Sequence, residues 1–191
     1  MPMLIAAAIV LLVLLLIVLR RRLNKTRHRR RLDKILRQFQ QEEVRSLVIP
    51  DGIGGFLELD QLLLTDRGLL IIQAYPMIGH LFGGEQIEQW TQIIGGRSFK
   101  FVNPLHHVEN AKYALQLLAP KVPIFYRVVF TGQCDFPKGK PEHVSTLQTL
   151  EQDLQVILEA PKMSDSNIKA WKIILSIGQK SGQDISREAI S

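Results

Sequence analysis

Cysteine is almost absent from this chain, which has 191 residues and one cysteine, Cys134. An intramolecular disulfide is therefore impossible, which suits the reducing cytoplasm. No cysteine or histidine pair has the short spacing of a structural zinc site. The chain also lacks internal repeats, which excludes the solenoid classes. A fold without these devices must be stabilised by its apolar core.

Polar side chains are missing from the N-terminal segment. From Met3 to Leu19 there is no charged residue, glycine, proline or polar side chain. As a helix this run is about 25 Å long at ~1.5 Å per residue, the short end of what crosses a bilayer. A signal peptide would have basic residues before the run and a cleavage site after it, whereas Arg20-Arg21-Arg22 follows here. The segment therefore predicts one transmembrane helix.

Acidic residues are scarce in the next segment, where Asp33 is the single acid. Its ten basic residues are Arg20, Arg21, Arg22, Lys25, Arg27, Arg29, Arg30, Arg31, Lys34 and Arg37. The positive-inside rule then leaves the N-terminus outside and the rest of the chain in the cytoplasm, for which we expect the inner (plasma) membrane of a bacterium. The same segment, Arg20 to Arg37, predicts attraction to anionic lipid, in addition to the bilayer contact of Met3 to Leu19.

The overall charge of +6 and the pI near 9.6 suggest nucleic-acid binding at first sight. Of the 24 basic residues, however, the ten in this segment leave 14 for the rest, and the 18 acids without Asp33 leave 17. The net charge of the part after Arg37 is therefore about −3 by this count. Nucleic acid is possible as a partner but is not favoured.

The remaining pattern predicts an α/β domain over residues 38–160, and a C-terminal helix with a polar tail over 161–191. An amphipathic helix is expected from Arg27 to Arg45, and a hairpin of two strands from Phe56 to Leu64 and from Leu69 to Ala74. The glycine-rich stretch from Gly79 to Gly96 reads as loops. Later elements are a helix opened by Asn103-Pro104, a strand over 123–131, a short strand at Val144, and helices over 147–159 and 165–177. This order indicates a mixed central sheet flanked by helices.

An ordered set of residues resembles a known family. Its members are Glu58-Leu59-Asp60, the turn ending in Gly68, the apolar Leu69 to Ile72, Gln73-Ala74-Tyr75, Gly79, Gly83-Gly84, Trp90 and Asn103-Pro104. Together, over roughly Asp33 to Thr131, they look like the nuclease-related domain, NERD. The resemblance implies a restriction-endonuclease-like core. It also implies a site with an Asp on one strand and Glu-x-Lys on the next, which holds Mg²⁺ and cleaves DNA.

Carried over residue by residue, the family's pattern maps its Asp onto Asp60, its Glu onto Gln73 and its Lys onto Tyr75. Two of the three positions depart, because Gln73 keeps an oxygen ligand without the charge and Tyr75 supplies no cation. If Asp66-Arg67 is a two-residue turn, Asp60 faces Gln73 and Glu58 faces Tyr75, all on one face. If Gly68 sits in a bulge, Asp60 faces Ala74 instead, and the turn chemistry slightly favours this second register.

The leading hypothesis is a membrane-anchored NERD-like domain with a degraded site, acting as a binding or scaffolding module on the cytoplasmic face. No cofactor is expected, and an unknown protein partner is. The alternative is a metal-dependent nuclease with residual activity, using Mg²⁺ held by Asp60, Glu58 and Gln73. A third reading is a tether for a partner protein in which the ancestry is irrelevant. Each candidate residue also has a structural reading, such as Asp60 as a strand-end carboxylate bonded to a helix N-terminus.

The anchor hypothesis predicts the behaviour of the full chain in cells. A reporter fused after Ser191 should behave as cytoplasmic, and membranes washed with carbonate should retain the protein, because the apolar run would sit in the bilayer core. Release by carbonate, or a mature chain that starts after residue 19, would contradict the hypothesis.

Overall fold

The computed structural model describes residues 26–162 and 168–178, and in addition Leu11, Leu12, Leu15, Leu16 and Arg20. Most of the predicted transmembrane segment, 3–19, therefore lies outside the described residues. Within the described part of the chain, no helix combines the length and the apolar character needed to cross a bilayer.

Strands dominate the first two thirds of the described chain, and helices flank them. In chain order the elements are α1 (26–36), β1 (Glu42–Pro50), β2 (Phe56–Leu64), β3 (Leu69–Tyr75), β4 (Gly79–Phe82), β5 (Gln89–Ile94), β6 (Arg97–Val102), α2 (Pro104–Leu118), β7 (Ile124–Phe130), β8 (Cys134–Asp135), β9 (Val144–Thr146), α3 (Leu150–Leu158) and α4 (168–178).

The strands form two sheets. The main sheet has the order β1-β2-β3-β7-β9 and is mixed, because β1, β2 and β3 run antiparallel while β7 and β9 join in parallel. The second sheet has the order β6-β5-β4-β8. Strands β2, β3 and β7 are almost wholly buried where they pair, which explains their near-continuous apolar sequence.

Two apolar clusters cover the two faces of the main sheet. On one face, here called the α1 face, Leu32 and Leu36 of α1 and Leu154 of α3 pack on Leu70 and Ile72. On the other, the α2 face, the sheet packs against α2, α4 and the second sheet, through buried residues that include Leu105, Val108, Trp171, Ile174 and Trp90. The expected α/β class, with sheets flanked by helices, is confirmed.

Two sequence-based expectations about elements are wrong. The first helix ends at residue 36 instead of Arg45, because residues from Glu42 onward pair with β2 along its whole length, from Glu42↔Leu64 to Pro50↔Phe56. The stretch expected to be loops, Gly79 to Gly96, forms β4 and β5, and β6 follows directly after it. Its glycines turn the chain between short strands, and Gly95 and Gly96 have φ of 53° and 77° at the β5–β6 turn.

The carboxylate of Asp153 ties α3 to the end of the main sheet. Its Oδ2 atom accepts hydrogen bonds of 2.7 Å from Lys140 Nζ, Ser145 Oγ and Thr149 Oγ1. Burial acts to raise the pKa of Asp153, but these three donors outweigh it and hold the pKa below its ordinary value of 3.8. The charged form of Asp153 is therefore the one that stabilises the fold.

Substituting Asp153→Asn should lower the free energy of unfolding by about 2 kcal/mol at neutral pH, since hydrogen bonds to a charged group contribute roughly 1.5–3 kcal/mol. Because the folded pKa is depressed, this contribution is fully present above the ordinary pKa and is lost as pH falls through the lowered value. Urea unfolding of wild type and variant should therefore converge as the pH falls below this lowered pKa. Glu151→Gln, an exposed change on the same helix, is the control; equal effects of the two changes would contradict the network's role.

Candidate functional site

The β2–β3 hairpin brings together two of the residues that the sequence analysis singled out. Its register runs from Gln61↔Ile72 to Leu64↔Leu69, which is the two-residue-turn register. One step further, Asp60 and Gln73 stand opposite each other, and the backbone N–H of Asp60 lies 3.4 Å from Gln73 Oε1. The register favoured by the turn chemistry is therefore not the observed one.

Gly68 explains that difference. The Thr65 N–H bonds to the Gly68 carbonyl at 2.9 Å, and the Thr65 hydroxyl oxygen accepts the N–H groups of Arg67 and Gly68. A Cβ on Gly68 would lie 2.3 Å from the carbonyl oxygen of Pro123. Glycine is therefore needed at position 68 because the backbone at Pro123, just before β7, passes close to it. The turn itself contains no bulge.

In strands β1 and β2 the regular alternation of side chains between the two faces of the sheet is interrupted at one point. We call this point the double bulge (Arg45-Ser46 and Asp60-Gln61). On either side of it Val44, Leu47, Leu59 and Leu62 belong to the cluster on the α2 face. The four residues between them all line one cavity on the α1 face. Ser46 takes a φ of 49°, a left-handed conformation that costs a residue with a side chain roughly 1–2 kcal/mol. Side chains that would alternate in a regular strand are therefore gathered on one side.

Asp60 completes the ladder where the regular pairing with β3 stops. Its Oδ2 atom accepts the backbone N–H of Ala74 at 2.9 Å, taking the place of a backbone carbonyl. Gln73 sits on the α2 face, because side chains alternate along β3 and Leu69, Ile71 and Tyr75 all pack there. The backbone N–H of Asp60 meets the side chain of Gln73, while the side chains of Asp60 and Gln73 lie on different faces.

The side chains of Tyr75 and Glu58 do not join the Asp60 carboxylate in a cluster. The Tyr75 ring packs against Phe130, with ring centroids 5.8 Å apart, and burial followed by the charge of Asp60 raises the pKa of its phenol. Tyr75 therefore stays protonated and neutral. The backbone carbonyl of Glu58 accepts a hydrogen bond from His107 Nε2 at 2.9 Å. Within 26–162 and 168–178 the Glu58 carboxylate, which is exposed, has no hydrogen bond or ion pair.

The cavity beside Asp60 has a volume of about 330 Å³ and lies between α1 and the double bulge. Two arginines line it, Arg29 from α1 and Arg45 from β1. Arg45 is held in place because its Nη2 contacts Asp33 Oδ1 at 2.9 Å and its Nε bonds to Glu43. The hydrogen bond that Arg45 donates to Glu43 leads the causes that raise the pKa of Arg45, against the opposing effect of burial, so Arg45 remains charged.

These residues fit a Mg²⁺ ion poorly. Hard divalent ions take several oxygen ligands with carboxylates among them. Here one oxygen of Asp60 already accepts a backbone N–H, Gln73 is neutral and on the other face, and two cations line the cavity. In the part of the chain that the structure describes, no three His, Cys, Asp or Glu side chains are grouped closely enough to hold a metal ion.

The glycine and tryptophan positions of the motif set have structural roles in the second sheet. A Cβ on Gly83 would overlap the ring of Trp90, and Trp90 Nε1 donates to the Gly84 carbonyl at 3.1 Å. Asn103 caps α2 by accepting the N–H of Leu105, and its amide also donates to the Glu85 carbonyl. These residues therefore hold the β4–β5 loop against the start of α2.

Comparison with known proteins identifies the family. A profile described as the nuclease-related domain, NERD, matches residues 24–131, which is more than half of the chain. The chain belongs to the NERD family. A Bacillus anthracis protein named as uncharacterized is 20% identical over 127 residues, which are 64% of this chain and 60% of that protein. The present chain thus spans less than two thirds of that relative's length. No solved structure matches the present chain.

The NERD match ends at Thr131, so it contains the double bulge, the cavity and α1. Sequence reasoning missed Arg29, Arg45, Ser46 and Gln61 as members of this site. One signal was available: Asp60-Gln61 places two polar residues in succession, which interrupts the alternation of apolar and polar residues in β2 and is consistent with a bulge. Nothing in the sequence marks Ser46, because its left-handed conformation depends on pairing with β2.

The bond between Asp60 and Ala74 can be tested by stability. Asp60→Ala should lower the free energy of unfolding by about 1–2 kcal/mol, because it leaves a partly buried N–H without its acceptor. Asp60→Asn keeps an acceptor oxygen at the same place and should cost less than half as much. Urea unfolding measures both variants, and equal losses would show that the carboxylate stabilises the fold through its charge and not through this bond.

Proposed function

We propose that this NERD protein is a binding module held at the cytoplasmic face of a bacterial plasma membrane, and that it does not cleave nucleic acid. The observation that carries the proposal is the state of the family's site: Asp60 closes the β2–β3 ladder, while Gln73 and Tyr75 lie on the other face of the sheet. The hairpin, helix and parallel strand in this order support descent from a restriction-endonuclease-like nuclease.

The chemistry of the site supports loss of cleavage. Phosphoryl transfer by such a core needs an ion on several carboxylates and a cation beside the scissile phosphate. Tyr75, at the cation's position, is neutral and packed on Phe130. Losing one group that stabilises developing charge commonly lowers the rate a hundredfold or more. With Gln73 in place of a carboxylate as well, two contributions are missing together.

The basic segment supports the membrane location. Helix α1 buries its apolar side, Leu32, Ile35 and Leu36, against the main sheet. Its basic side chains are exposed, namely Arg27, Arg29, Arg30, Arg31 and Lys34, with Arg37 just beyond it. Basic side chains near an anionic surface contribute roughly 1 kcal/mol each, so this surface suits a bilayer with acidic lipid. The apolar run at 3–19, which precedes it, would supply the anchor.

One observation favours the alternative, a metal-dependent nuclease. Arg29 and Arg45 line the cavity that Asp60 also lines, so a cation is available from elements other than β3. In this alternative Arg29 would stabilise the scissile phosphate, and both Asp60 and Arg29 would be needed for cleavage. In the binding-module proposal neither substitution has any cleavage to abolish.

A cleavage assay decides between the two. The full chain, purified in detergent, should leave single- and double-stranded DNA and RNA intact with Mg²⁺ or Mn²⁺. Any trace of cleavage should be the same in wild type, Asp60→Ala and Arg29→Gln, which would mark it as contamination. Cleavage by the wild type that either substitution abolishes, while Arg30→Gln retains it, would overturn the proposal and establish the nuclease.

A further inference from the structure

Two adjoining cavities run beside α1 and form one groove, which we call the α1 groove. The first cavity has a volume of about 320 Å³ and the second of about 530 Å³. Arg31 of α1 lines both, and so do Leu147 and Gln148, which lie between β9 and α3. Because three lining residues are common to the two cavities, a single elongated ligand can reach both.

Basic side chains form one wall of the α1 groove. Arg27 lines the first cavity, Lys34 lines the second, and Arg31 lines both. All three are exposed, so they are open to a ligand. Within 26–162 and 168–178 none of the three makes an ion pair or a side-chain hydrogen bond. The first cavity has no acidic lining residue and the second has one, Glu151. Positive charge is therefore in excess along the groove.

The α1 groove opens at the carboxyl ends of two parallel strands. Its lining residues Thr131 and Gly132 come directly after β7, and Leu147 comes directly after β9. The imidazole Nδ1 of His28 donates to the backbone carbonyl of Thr131, which holds α1 beside the end of β7. Ligands of open α/β sheets commonly bind outside the carboxyl ends of the strands. The position of the groove in the fold is therefore independent support for a ligand site.

The spacing of the three cations suits two phosphate groups. Along the helix axis Arg31 is about 6 Å from Arg27 and about 4–5 Å from Lys34. Residues four and three positions apart lie on one side of a helix, so neighbouring cations can share an anion. An arginine fork binds phosphate through two parallel hydrogen bonds, and a lysine binds it as a point charge. Each cavity therefore offers two cations to one phosphate, with Arg31 between them.

We propose that the α1 groove binds one lipid headgroup that carries two phosphate groups joined by a short linker. One phosphate lies at Arg27 and Arg31, and the other lies at Arg31 and Lys34. A lipid is the source because Arg27 is the eighth residue after Leu19, the end of the predicted span. Eight residues reach at most about 29 Å, which keeps the groove close to the headgroup layer. The inference rests on the proposed function, and it names the lipid chemistry that the module binds.

A linked pair of phosphates has a measurable consequence. Diffuse attraction to a bilayer depends on its charge density, and it is the same for two separate phosphates as for a linked pair. In the α1 groove, binding of the first phosphate makes binding of the second an intramolecular event, which strengthens the binding of a linked pair without any new contact. A preference for linked phosphates at equal charge therefore distinguishes this site from the general attraction of the basic segment.

The test uses the full chain in a sugar-based detergent and a phosphate-free buffer. Thermal unfolding and native mass spectrometry compare cardiolipin, whose two phosphates are joined by glycerol, with phosphatidylglycerol, which has one phosphate. Phosphatidylglycerol is added at twice the molar amount, so that the phosphate charge is equal. We expect cardiolipin to raise Tm further and to remain bound as a one-to-one complex, because it alone can fill both cavities at once.

Matched variants separate the groove from the rest of the basic segment. Arg31→Gln should weaken cardiolipin binding about tenfold or more, because both phosphates lose a charged donor. Arg30→Gln removes the same charge from a residue that lines neither cavity, and it should leave the preference for cardiolipin nearly unchanged. Gln148→Glu adds a carboxylate beside both cavities and should weaken binding, whereas Gln152→Glu on α3 should not. All four positions are exposed, so Tm of the ligand-free variants should stay near that of the wild type.

Three results would overturn the inference. They are equal stabilisation by the two lipids at matched phosphate, equal losses in Arg31→Gln and Arg30→Gln, and tighter binding of soluble pyrophosphate than of cardiolipin that depends on Arg31. The third would make the groove a site for a free anion. Absence of cardiolipin binding, with DNA and RNA uncleaved and the chain retained in carbonate-washed membranes, overturns this inference alone. Release by carbonate, or cleavage that depends on Asp60, overturns the proposed function.

Discussion

The paired reversal of β1 and β2 decides what this site contains. A single bulge would put the two strands out of register, but Ser46 and Asp60 stand opposite each other, and the register is the same before and after them. Both strands therefore switch faces together, and the apolar residues continue into the same core on either side. The left-handed Ser46 is an unfavourable conformation that the long β1–β2 ladder around it can maintain.

This reversal has a consequence for the family's chemistry. In a regular hairpin Asp60 and Gln73 would share one face, and with Glu58 they would form a ligand group. The double bulge turns Asp60 toward α1, while β3 continues to alternate and keeps Gln73 and Tyr75 toward α2. The Asp60 carboxylate then substitutes for a backbone carbonyl at the point where β2 and β3 separate. One residue thus serves both the fold and the wall of the cavity.

The sequence predicted the elements whose patterns are local. The hairpin, α2 with its Asn103 cap, and β7 follow from apolar runs, from Asn-Pro chemistry and from length, and the structure has them nearly at the expected bounds. It did not predict β1 or the second sheet, because short strands with mixed polar residues form only when partners pair with them. The site divides in the same way. Asp60 stood out through its motif, whereas Arg29, Arg45 and Ser46 reach the cavity through tertiary placement that no local pattern encodes.

The single acid of the basic segment links α1 to the site. Asp33 could have been lost without harm to a helix that only meets anionic lipid, and it opposes that attraction. Its carboxylate instead contacts Arg45 at 2.9 Å, across from the helix to β1. Because both partners are partly shielded from water, this pair is screened less than one on the open surface. This ion pair holds Arg45 in place beside the cavity, and it holds α1 over the double bulge. Arg29, which also lines the cavity, belongs to the same helix. The exposed side of α1 carries charge toward the surroundings, and its inner side organises the cavity, so one short helix connects the two parts of the proposed function.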